Sequence, residues 1–130
     1  MDIVARICEI PVEFKARGDV SVLQLIRESG FEAQHVTVTV DALCKYLRDK
    51  PALIDAWFGY SEDKRTSSGW YILQRPNGQF EVAFFPKGES LITANRASAC
   101  AEFVLREIRA IAAELAVEAL VGSSSKKNRD

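Results

Sequence analysis

The chain reads as one α+β domain: amino-terminal helices, a small antiparallel β-hairpin or three-stranded meander, and a long carboxy-terminal helix packed on the sheet. Three observations predict this. Apolar residues recur at helical spacing through the first half. The run "GWYILQRPNGQFEVAFF" places two β-branched and aromatic segments around the turn Pro76-Asn77-Gly78, and an apolar arc extends from Cys100 to Leu115. With 130 residues, 48% of them hydrophobic, the chain can build a single core.

The opening "MDIVARICEIPVEFKARG" spaces Ile3, Ile7 and Ile10 as a helix does, so a helix is expected to about Ile10, where Pro11 limits it; "VEF" also fits an extended segment. In "DVSVLQLIRESGF", Ser21 or Asp19 caps a short helix that carries Val22, Leu23, Leu25 and Ile26, and Gly30 stops it. "HVTVTV" alternates like a strand, yet "TVDALCKYLRDK" starts a helix at Thr39 or Asp41 that buries Leu43, Tyr46 and Leu47. Pro51 suits a first helical turn with Asp49 near to cap it, and Leu53, Ile54, Trp57 and Phe58 carry that helix to about Gly59. "YSEDKRTSSGWY" then breaks every periodicity and reads as a loop. After the hairpin, Pro86, Lys87 and Gly88 make another turn, and "SLIT" returns as a third strand. Asn95 caps the last helix, whose buried arc is Cys100, Ala101, Val104, Leu105, Ile108, Ile111, Ala112 and Leu115; Glu102, Arg106, Arg109 and Glu114 face away, and Phe103 falls off the arc. The domain is expected over 1–121, and "GSSSKKNRD", 122–130, has nothing to bury and reads as a disordered polar tail.

Seventeen basic and 18 acidic residues nearly cancel, so no overall field favours nucleic acid or an anionic membrane. Without the tail the body is slightly acidic, which suits a basic partner. Cys8, Cys44 and Cys100 are odd in number and scattered, and read as reduced core thiols; the amino-terminal residues lack signal-peptide order, and charges interrupt the most apolar stretch, so cytoplasmic residence is expected. One histidine, His35, and three separated cysteines make neither a metal site nor a nucleophile–base pair, and no glycine motif cradles phosphate. No catalytic residue, metal or cofactor is expected.

What remains is surface chemistry. Trp70 and Ile72 point to one side of the hairpin and Tyr71 and Leu73 to the other; Phe80, Val82 and Phe84 oppose Ala83 and Phe85. Both sheet faces therefore carry large apolar groups. The carboxy-terminal helix covers one face, and the other needs an earlier helix, with that of Leu53 to Phe58 preferred, or another molecule. Tyr60, Glu62, Asp63, Lys64, Arg65 and Trp70 are the candidate partner contacts, Trp70 as anchor and the charges as orienting groups.

Over roughly residues 38–111, "VDALCKYLRDKPALIDAWFGYSEDKRTSSGWYI", the hairpin and "SACAEFVLREI" resemble small bacterial immunity proteins of contact-dependent growth inhibition and polymorphic toxin systems. That resemblance implies a non-enzymatic protein that occludes a cognate toxin domain, commonly a nuclease, in a one-to-one complex. The alternative is a small-molecule or regulatory binding domain with a pocket between sheet and carboxy-terminal helix. A third reading is an enzyme acting through Tyr60, Lys64 and Arg65.

Overall fold

The structure, a computed structural model, describes the backbone of residues 2–34, 37–63, 69–86 and 88–129, and the side chains among them except those of 33, 34 and 115–129. Asp2 opens α1 (Ile3–Cys8), its carboxylate accepting from the Ala5 N–H at 2.9 Å. The chain bends at Glu9 and restarts as α2 (Ile10–Arg17), so helix continues past the expected end near Ile10, and "VEF" is helical. Pro11 allows this because it lies in the first turn of a new helix, where its missing N–H would have had no partner. Gly18 ends α2 at φ 70°, a left-handed conformation that glycine adopts without a Cβ clash.

Ser21 caps α3 (Val22–Ser29) and Gly30 closes it, as the sequence indicates. A single turn, α4 (Phe31–Gln34), buries Phe31. Of "HVTVTV", His35 and Val36 lie outside the described residues; Thr37 to Thr39 join no strand, and Val40 already belongs to α5 (Val40–Arg48). The Thr39 hydroxyl accepts from the Ala42 N–H, so a side chain that alternation would assign to a strand serves as a helix cap. Asp49 is the C-cap of α5 rather than a cap for the next helix.

That next helix, α6, spans Pro51–Asp63. Tyr60, Ser61, Glu62 and Asp63 therefore belong to a helix, which corrects the loop expected to begin at Tyr60; residues 64–68 lie outside the described residues. The helix continues because its inward positions remain useful to the core: Trp57 is fully buried, and Ser61 four residues on is buried with it. The indole N–H of Trp57 donates to the Cys8 carbonyl at 2.8 Å, satisfying an acceptor at the end of α1 and fixing α6 beside the α1–α2 bend.

The sheet runs β1 (Gly69–Gln74), β2 (Phe80–Phe85), β3 (Ser90–Thr93), antiparallel in that order. Its turn closes through the Gly78 N–H to the Arg75 carbonyl at 2.9 Å, with Gly78 at φ 88°. Register pairs Trp70 with Phe84, Ile72 with Val82 and Gln74 with Phe80. The edge of β1 is closed by Ser61, whose hydroxyl accepts from the Ile72 N–H at 2.9 Å and donates to the Ile72 carbonyl at 3.2 Å. One side chain thus stands in for a missing neighbouring strand.

The long helix α7 (Arg96–Arg129) packs on the sheet, with the Asn95 side chain accepting from the Ser98 N–H. Its backbone is helical through 122–129, where composition indicates a disordered tail; a helix already formed extends more readily than one must nucleate. Phe103 is fully buried against Trp57 and Tyr60, so it is core despite lying off the predicted arc. Ile72, Val82, Val104 and Ile108 complete the layer between α7 and the sheet.

Candidate interaction surface

Strand alternation and register assemble an aromatic end on the sheet. Trp70 opposite Phe84 puts both rings on the α7 side, where they meet edge to face with centroids 5.4 Å apart. Phe85, opposite Gly69, points to the other side. From α7, the Arg106 guanidinium sits 5.5 Å from the Trp70 ring centroid, and Glu102 one turn earlier holds that guanidinium at 2.7 Å. The result is a row of carboxylate, guanidinium, indole and phenyl, open to solvent at Phe84, which is 37% exposed; Phe85, on the opposite face, is 47% exposed.

The outer face continues from Phe85 through Tyr71, Leu73 and Ile92, the last 44% exposed. Helix α6 does not cover it, contrary to the preferred cover. Phe58 meets Phe80 on the inner side and Ser61 binds the β1 edge, so α6 packs with α7 on the same side of the sheet. Glu81 is the charged group in the middle of this face, paired with Arg75 at 3.3 Å and accepting from the Tyr71 hydroxyl at 3.4 Å. Burial, then the Glu81 charge, raises the Tyr71 hydroxyl above the ordinary tyrosine range.

The described residues singled out from sequence fall on two elements, α6 and β1. Tyr60 is half-buried, its hydroxyl donating to Glu107 at 2.5 Å and its ring 5.3 Å from that of Trp57. Burial, with the Glu107 carboxylate beside it, pushes the Tyr60 hydroxyl well above its usual range; it is a hydrogen-bond donor at neutral pH, not a nucleophile. Glu62 and Asp63 are exposed on the last turn of α6, and Asp63 lines a cleft against α2. Lys64 and Arg65 lie outside the described residues. Trp70 alone among the described candidates belongs to the aromatic end.

Sequence reasoning passed over Phe84, Phe85, Arg106 and Glu102 as partner contacts and missed that Glu107 is buried. The signal for Glu107 was present, because it sits four residues from both Phe103 and Ile111 and so shares their row on α7.

Other chemistry is limited. Burial drives the Cys8 thiol up to about 12, with Glu9 and Asp2 adding to it, and burial likewise raises Cys100, so neither is a thiolate at neutral pH. Among the described residues no group of histidine, cysteine, aspartate and glutamate is placed to hold a metal ion. Neither a protein-family model, nor a curated protein, nor a solved structure matches this chain. Clefts among the helices of the described residues include one of about 490 Å³ lined from α2, α3 and α6, and one of about 260 Å³ lined from α1, α2 and α3. Beneath the sheet, Ala101 is fully buried. No helix of the described residues is long and apolar enough to cross a membrane.

Proposed function

We propose that this chain is an immunity protein that neutralises a cognate bacterial toxin domain by binding it one to one and occluding it, with the aromatic end of the sheet as the docking centre. The observation that carries this reading is the exposure of Phe84 beside a Trp70 ring already held by Arg106, with Phe85 exposed on the opposite face at the same end of the sheet. Tryptophan, arginine and aromatic neighbours are the residue types that concentrate binding energy. Holding Arg106 on Glu102 and Trp70 beforehand reduces the ordering cost of a complex, and fully burying a phenylalanine contributes about 1.5–3 kcal/mol. The resemblance over residues 38–111 supplies the partner class, and the mildly acidic body favours a basic toxin such as a nuclease.

The test is co-expression with a toxin domain from a gene adjoining that of this chain. A one-to-one complex by light scattering and relief of toxicity are expected, and both are lost in Phe85→Ser and Trp70→Ala proteins that remain folded. A toxin that stays active and unbound in the presence of the wild-type chain overturns the proposal.

A further inference from the structure

The larger of these clefts shares no lining residue with the aromatic end and lies between two helix walls of unlike charge. The α2 wall presents Pro11, Phe14, Lys15 and Gly18; the α6 wall presents Ala56, Tyr60 and Asp63. Phe14 shares the side of α2 that buries Ile10 and Pro11, at positions one turn apart, yet it stays 38% exposed where it lines the cleft of about 490 Å³. On the flank of the α6 wall, Gly59 sits inside a helix, where glycine is less stable than alanine, and an added Cβ there meets nothing within 4 Å. Among the described residues no contact requires a glycine at that position, and its surface is open to the close approach of another chain.

We infer that a second copy of this chain docks across the α2–α6 cleft through a two-fold axis. The charges select this occupant. Lys15 on one wall and Asp63 on the other have no ion-pair partner among the described residues, whereas Arg17 farther along α2 is already paired with Glu28. A two-fold operator lays the α2 wall of each copy against the α6 wall of the other, so Lys15 meets the partner's Asp63 twice and the two Phe14 rings enter the shared apolar space. Such a patch is complementary to itself.

Sedimentation of the full chain from micromolar to millimolar concentration tests the inference. The mass is expected to rise from 14.5 kDa to twice that value. Lys15→Glu and Asp63→Lys each place like charges at both contacts, and each should weaken self-association at least about tenfold. Mixing the two variants in equal amounts should restore a dimer, because each residue then faces its opposite. Both positions are exposed, so circular dichroism should show unchanged folding. A chain that is monomeric at millimolar concentration overturns the inference. So does a dimer indifferent to both substitutions, or a mixture that fails to recover. Toxin binding is assayed at a different surface and is independent of each outcome.

Discussion

Glu107 is 3% exposed in the middle of an apolar helix row, and the Tyr60 hydroxyl donates to it. A buried carboxylate is tolerated only with hydrogen-bond donors in place, and removing one costs about 1–3 kcal/mol, more where the group left behind is charged. Tyr60→Phe should lower stability by that amount in urea unfolding, while Glu107→Gln, which still accepts from Tyr60, should cost less. If Tyr60→Phe leaves the midpoint unchanged, the hydroxyl has no structural role. The same burial sets the alkaline behaviour. Cys8, Cys100 and Tyr60 all have folded values raised above their unfolded ones, so above pH about 8.5 the unfolded chain loses protons that the folded chain keeps. Stability should therefore hold at neutral pH and fall above it, each thiol approaching a slope of about 1.4 kcal/mol per pH unit, with Tyr60 adding above pH about 10. Unfolding midpoints measured from pH 7 to beyond pH 10 check this; a flat profile contradicts it. The thiols' burial was legible from their spacing among apolar residues, and the carboxylate's only by following its row on the helix, because composition scores glutamate as a surface residue.

Helix α6 shows where element boundaries could and could not be read. Its start at Pro51 and its apolar positions followed from pattern, but its end did not, because "YSED" has the composition of a loop. The reason it is helical is tertiary: Ser61 faces the β1 edge and satisfies both backbone groups of Ile72. A hydroxyl carries no hydrophobic signal, so no period in the sequence announces it. Ser61→Ala leaves a buried N–H and a buried carbonyl unpaired and should cost about 1–3 kcal/mol. Amide exchange at Ile72 should accelerate relative to Val82 in the central strand, which separates loss of the edge seal from general weakening; equal acceleration at both sites counts against that role. In "HVTVTV" two patterns competed, and the helix start at Thr39 prevailed over the strand-like alternation because the Thr39 hydroxyl caps α5. The hairpin was legible because proline, asparagine and glycine supply its turn locally and need no tertiary help.

Across the whole molecule, the sheet has two unequal faces, and that inequality underlies the proposed docking surface. Alternation alone revealed that both faces carry large apolar groups; which of them the helices cover depends on where α6 lies, and that was fixed by Trp57, Phe58 and Ser61 acting together. Ile72 is 5% exposed between α7 and the sheet, and Phe85 is 47% exposed on the far side. The two positions should therefore respond differently to truncation. Ile72→Ala opens a cavity in a packed layer and should cost about 2–5 kcal/mol, whereas a substitution away from packed groups, Phe85→Ser, should stay within about 0.5 kcal/mol of wild type. Chemical denaturation of both variants, with the slope of the transition recorded to confirm an unchanged folded state, makes the comparison. A Phe85→Ser cost above about 2 kcal/mol would show that the outer face is packed within the chain, since losses of that size arise from buried positions, and it would remove the outer face from the partner surface. A near-neutral Phe85→Ser that also loses toxin binding would assign the residue to recognition, because its side chain would then matter only in the complex.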